Sequence, residues 1–91
     1  MIEKIFDRDY LKNELGLPYE NTITDEIVDN SRWSIMHEIV FKDNGKFYMT
    51  TYSVGATEMQ PESPWEYESK VKCIEVELRE VKVEKWMPVE D

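Results

Sequence analysis

The sequence predicts an α+β domain: a small antiparallel β-sheet built on a central hairpin, with a short N-terminal helix packed on one face. Three observations carry this expectation. Residues 32–43 and 46–54 alternate in hydrophobicity on either side of Asn44-Gly45, residues 71–89 form another alternating stretch, and residues 7–18 place leucines four apart between helix-capping residues.

The first element is a helix expected over 8–15. Asp7 is placed to cap its start, Leu11 and Leu15 recur one turn apart, Gly16 suits a left-handed exit and Pro18 blocks continuation. Two turns are marginal in isolation, so Tyr10, Leu11 and Leu15 are expected to pack on a larger element. Residues 23–29, Ile-Thr-Asp-Glu-Ile-Val-Asp, suggest a short edge strand.

The hairpin follows. Trp33, Ile35, His37, Ile39 and Phe41 share one face, while Ser34, Met36, Glu38, Val40 and Lys42 take the other. Asn and Gly both tolerate positive φ, so Asn44-Gly45 fits a two-residue type I′ turn. Counting outward sets Phe41 opposite Tyr48, Ile39 opposite Thr50, His37 opposite Tyr52 and Ile35 opposite Val54. The face holding Trp33 is the expected core. Beyond residue 70, Ile74, Val76 and Leu78 lie in one phase and Val81 and Val83 in the other. With no Gly, Asn or Pro at Arg79-Glu80, a β-bulge within one strand over 72–87 is favoured over a turn.

At 91 residues the chain has room for one domain with a single core, and 41% hydrophobic residues with 12% aromatics mark it as globular. No apolar run approaches the roughly 18–20 residues that span a bilayer, and residues 1–7 lack a secretory pattern. Cys73, the single cysteine, reads as a reduced buried thiol. Together these predict a cytoplasmic protein. The net charge is −9, with eight acids against three bases in residues 1–31 and four acids with no base in 57–69. Nucleic-acid binding needs a basic footprint to displace counterions, so direct binding to DNA or RNA is disfavoured.

Catalytic and metal constellations are poor. One His and one Cys exclude multi-histidine and thiolate sites, and neither a phosphate loop nor a nucleophile elbow occurs. Glu58, Glu62, Glu66 and Glu68 lack the spacing of a calcium loop and read as solvated acids. His37 reads as a core imidazole bonded to Tyr52 or backbone, because the neighbouring Glu38 points to the opposite face. The expectation is therefore no enzyme, no cofactor and no metal.

The most informative segment is Gly55-Ala-Thr-Glu-Met-Gln-Pro-Glu-Ser-Pro-Trp-Glu-Tyr-Glu68. Pro61 and Pro64 restrict its backbone, so Trp65 and Tyr67 are presented with little entropy left to lose on binding. Two readings stand: a partner-binding epitope of Glu58, Glu62, Trp65, Glu66, Tyr67 and Glu68, or a strap in which Trp65 folds back onto the sheet.

The succession Arg32-Trp-Ser, Val40-Phe, Asp43-Asn-Gly-Lys-Phe-Tyr48, Tyr52-Ser-Val-Gly-Ala-Thr-Glu58, Ser63-Pro-Trp-Glu, Cys73-Ile-Glu-Val and Trp86-Met-Pro-Val89 resembles small uncharacterised accessory proteins of bacteriophages and prophages of Gram-positive hosts. The likeness covers roughly residues 7–89 and is densest at Tyr-Ser-Val-Gly-Ala-Thr-Glu and Ser-Pro-Trp-Glu. It brings no catalytic residues and implies a context, the cytoplasm of an infected bacterium. With the acidity, it leads to an interaction protein that binds and inhibits a host protein, such as a component of a CRISPR or other defence system, by offering carboxylates where phosphates would lie. The alternatives are a structural or assembly module of phage replication or packaging machinery, including a symmetric sheet-edge dimer, and a small ligand-binding protein with a pocket at His37, Tyr52 and Trp33.

Overall fold

The computed structural model describes residues 1–56 and 62–90. Five strands form one antiparallel sheet: β1 (Glu3–Asp7), β2 (Thr22–Asn30), β3 (Ser34–Asp43), β4 (Lys46–Gly55) and β5 (Lys70–Val76), in the spatial order β1-β5-β4-β3-β2. The β3–β4 hairpin has the register counted from the sequence, and Asn44 and Gly45 take φ of 51° and 77° as a type I′ turn requires. Side chains directly opposite share a face, which makes Phe6, Ile39, Phe41, Tyr48, Tyr52, Val71 and Cys73 one buried surface.

The α+β expectation is overturned, because the chain is an antiparallel β-sheet with no helical layer. The segment expected as a helix makes a single π-type turn, Tyr10–Glu14, closed by the Leu15 N–H on the Tyr10 carbonyl (3.0 Å). Asp7 does not cap it, being the last residue of β1 opposite Lys70, and Asp9 at the cap position makes no side-chain capping bond, its carboxylate instead accepting from Arg8 Nε (3.3 Å). Without a cap, the four first-turn N–H groups gain nothing from helix formation, and tertiary packing decides the geometry. Gly16, at φ 69°, turns the chain. Leu11, Leu15 and Leu17 then seal the buried face as an irregular cover. Tyr10 donates its hydroxyl proton to the buried carboxylate of Asp43 (2.8 Å), and Asn21 Nδ2 donates to the Leu15 carbonyl (2.9 Å).

Two further expectations fail. The long strand over 72–87 stops at Val76, and residues 77–90 lie outside the sheet. The cause is a lack of neighbours: Val76 pairs with Phe47, one residue short of the start of β4, and the β1 pairing ends with Glu3 opposite Ile74. Trp33 is not in the core. It precedes β3, is 57% exposed, and is covered on one side by the Arg32 guanidinium, 5.0 Å from the ring. Alternation extends a pattern beyond the strand that carries it, and the Ser31 to Ser34 turn, with N–H to carbonyl at 2.8 Å, breaks the phase there.

The opposite face carries Val40, Phe47, Met49, Ile74 and Val76, all partly buried, with Met36 and Ile5 exposed. Among the described residues no second layer packs over it. β2 forms one edge of the sheet and is exposed along nearly its whole length.

Candidate functional site

The segment before β5 is shaped by its relation to β4. β5 pairs with β4 only at Phe47, Tyr48 and Met49, so past that point the edge of β4 is uncovered by strand. Thr50 Oγ1 bridges part of the gap by donating to the Lys72 carbonyl (3.0 Å). Trp65 closes the rest. Its indole Nε1–H donates to the Thr51 carbonyl (3.0 Å), which satisfies a backbone acceptor that a paired strand would otherwise take. The side chain is only 3% exposed and lies against the Tyr52 ring, with centroids 5.6 Å apart.

Reaching that position forces the backbone. Trp65 has φ 55°, in the left-handed region that a bulky side chain rarely adopts. Turn hydrogen bonds hold it there: the Glu66 N–H donates to the Ser63 carbonyl and the Glu68 N–H to the Trp65 carbonyl, both at 3.1 Å. A second anchor comes from the N-terminal segment, where Arg8 Nη1 donates to the Glu66 carbonyl (3.2 Å) and the Arg8 N–H to the Ser69 carbonyl (2.9 Å). The turn is thus fastened at its root from two sides.

What the turn displays differs from what anchors it. Tyr67 is 86% exposed between the exposed Glu66 and Glu68. Among the described residues neither carboxylate makes an ion pair, whereas Lys70 and Lys72 on the adjoining strand are held by Asp7 and Glu3. The six residues expected to form an epitope therefore divide. Trp65 is an internal anchor, Glu62 is partly buried with Oε1 lacking a partner among the described residues, and Glu66, Tyr67 and Glu68 face outward. Glu58, with Pro61, lies outside the described residues. Between this turn and β3–β4 is a cleft of 120 Å³ lined by Glu62, Trp65, Tyr52 and Met36 among others. Small-molecule sites occupy about 300–1,000 Å³, so the cleft suits a few waters or one side chain rather than a metabolite.

Behind Trp65 runs a network the sequence showed only in part. His37 and Tyr52 stack as counted, with centroids 4.7 Å apart and planes 9° from parallel. Their common partner is Asp25 on β2, a residue the sequence reading passed over. His37 Nδ1 lies 2.8 Å from Asp25 Oδ1, and the Tyr52 hydroxyl donates to Oδ2. Burial, then the hydrogen bond to Asp25, pushes the Tyr52 phenol well above its usual range. The signal available was Asp25 alternating with Ile27 in 23–29, which puts both on the His37 face once β2 pairs with β3. Glu38, the acid considered from sequence, does sit on the other face.

An Asp–His pair can orient an imidazole for general-base work, but such work also requires a nucleophile or substrate within reach of the ring. Among the described residues His37 has no hydrogen-bond partner besides Asp25, and no group of three metal-ligating side chains gathers. The Asp25–His37–Tyr52 cluster instead crosslinks β2, β3 and β4 and extends the aromatic row to Trp65. Among the described residues no helix is long and apolar enough to cross a membrane. No family model, curated protein or solved structure matches the chain.

Proposed function

We propose that the protein is a non-enzymatic binding protein that docks its acidic turn against a basic surface of another protein, and in doing so inhibits it. The observation that carries this reading is the exposed Tyr67 between two unpaired, exposed carboxylates on a turn anchored by Trp65 and Arg8. Tyr is among the side chains that dominate interface energetics, and a turn already held in place loses little entropy on binding. Glu66 and Glu68 add a negative rim that speeds encounter with a basic groove and selects for it. A nucleic-acid-binding enzyme of the host cell, such as a component of a CRISPR or related defence system, offers a groove of that sign. In this reading the protein acts in the bacterial cytoplasm as a phage accessory product and touches no nucleic acid itself.

The test uses two variants and a folding control. Changing Glu66 and Glu68 together to Gln should leave the melting midpoint nearly unchanged, since exposed carboxylates contribute little to stability. It should also abolish phage survival on a defended host. Tyr67→Ala should do the same through lost contact rather than lost charge. Full protection by both folded variants would end the acidic-turn mechanism.

A further inference from the structure

We infer that β2 is the docking edge for residues 78–86 of a second copy of this chain, and that the protein is a strand-exchanged dimer. Two incomplete features of the molecule fit each other. Residues 77–90 make no backbone hydrogen bond to the rest of the chain among the described residues, yet they carry Leu78, Val81, Val83, Trp86 and Met87, all exposed, with Leu78 and Trp86 fully so. Among the described residues β2 pairs only with β3, which leaves its outer N–H and C=O groups without a strand partner over nine residues, and it exposes Ile23, Ile27 and Val28. Proteins usually cover or blunt an edge of that length; β2 is blunted only by its own acids and two register irregularities, and among the described residues no other element lies along its outer side.

Length, pattern and charge agree. Nine extended residues span about 30 Å, and residues 78–86 span the same. Val81 and Val83 keep the two-residue spacing of a strand although, among the described residues, no strand lies beside them in their own molecule. Residues 13–31, which include β2, carry five acids and no base, while residues 79–85 carry three bases, Arg79, Lys82 and Lys85, against two acids, Glu80 and Glu84. The antiparallel register that sets Val81 against Ile27 also sets Lys82 against Glu26, within the regular stretch of β2 before the irregularity at Ile27–Asp29. One register thus makes an apolar pair beside an opposite-charge pair, the unit by which neighbouring strands select each other.

Chain direction places the partner in another molecule. β5 runs toward the Asn44-Gly45 end of the sheet, and β2 starts at that same end, with Thr22 opposite Phe41. A tail leaving there in its own molecule would cross β4 and β3, about 14 Å to the edge, and lie parallel to β2. The antiparallel register requires a copy related by a two-fold axis, and the exchange is then reciprocal, with each copy giving a tail and receiving one.

Sedimentation equilibrium of the full chain tests this together with three variants. The intact chain should be dimeric at micromolar concentration, with Trp86 fluorescence shifted to the blue. Truncation after Glu77 should yield a monomer with an unchanged β-sheet circular dichroism spectrum. Lys82→Glu should raise the dissociation constant about tenfold, because each dimer holds two such pairs and both turn repulsive. Adding Glu26→Lys to that variant should restore the original constant. A monomeric intact chain overturns the inference, whether its Trp86 is solvated or packed against its own sheet. So does a dimer that survives truncation, and failure of the reversed pair to recover overturns the register.

Discussion

Replacing Trp65 by Ala, Gly and Phe separates three contributions that the structure places in one residue. A buried Trp withdraws about 150–250 Å² from water, and its truncation to Ala in a packed site costs about 3–5 kcal/mol. At 3% exposure Trp65 should fall within that range, even though Ala leaves a gap that solvent enters from the β4 edge. Phe keeps most of the packing but loses the indole N–H, so Trp65→Phe should cost about 1–2 kcal/mol for the Thr51 carbonyl left without its donor. The backbone supplies the sharper discrimination. With φ at 55°, Ala retains the left-handed penalty of about 1 kcal/mol and Gly does not. Trp65→Gly should therefore be no less stable than Trp65→Ala, whereas in an ordinary strand or turn Gly is the worse of the two. Urea denaturation followed by far-ultraviolet circular dichroism, with constant slope across the series, gives the differences. In a domain of this size 3 kcal/mol lowers the melting midpoint by about 12 °C or more. An Ala variant within about 1 kcal/mol of the parent would refute the strap; a Gly variant clearly below Ala would refute the turn geometry.

Asp25 and Tyr52 should behave as a coupled pair. Tyr52→Phe and Asp25→Asn should each cost about 1–2 kcal/mol, and the double variant should cost less than their sum in a thermodynamic cycle, because either change breaks the same bond. Burial pushes the Cys73 thiol up to about 11, so the folded state holds its proton where the unfolded chain, at 9.0, has released it. Stability from this group is complete below pH 9, falls between 9 and 11, and Tyr52, also raised, adds to the alkaline loss. Denaturation midpoints across that range should decline, and Cys73 should react with a thiol reagent at the rate of unfolding rather than that of a free thiol.

What the sequence made legible, and what it did not, follows from the range of the forces involved. The hairpin was readable because its determinants are local: Asn44-Gly45 sets the turn, and counting from it assigns every pair from Asp43–Lys46 to Ser34–Gly55. Cys73 is in the core, as its place in an apolar stretch predicts, although the apolar phase of Ile74 and Val76 lies on the opposite, only partly buried face. The strands at the sheet margins depend on which neighbours exist, which alternation does not encode. β1 has no readable pattern because only Phe6 of its five residues is buried, and alternation over 72–87 runs past the strand because the last pairing partner of β5 is Phe47. The helix failed for a related reason, since leucines four apart record that both are buried but not that the backbone between them is helical. Asp25 escaped because its partners lie 12 and 27 residues away on two other strands.

The choice between strap and epitope at residues 62–68 dissolves once burial is assigned residue by residue. A single-layer sheet whose fifth strand covers only part of β4 has a backbone acceptor to satisfy at Thr51, and a long loop must supply the donor. Trp65 does so by entering the sheet side chain first. Because successive residues of a tight turn point in different directions, burying Trp65 pushes Tyr67 outward, flanked by Glu66 and Glu68. Display is thus a geometric consequence of anchoring, and the two roles fall on different side chains. Stability should track substitutions at Trp65 and Arg8, and binding should track those at Tyr67 and the carboxylates. A Trp65 variant that keeps its fold should then bind more weakly for an entropic reason, because a loosened turn must be ordered again before it can dock.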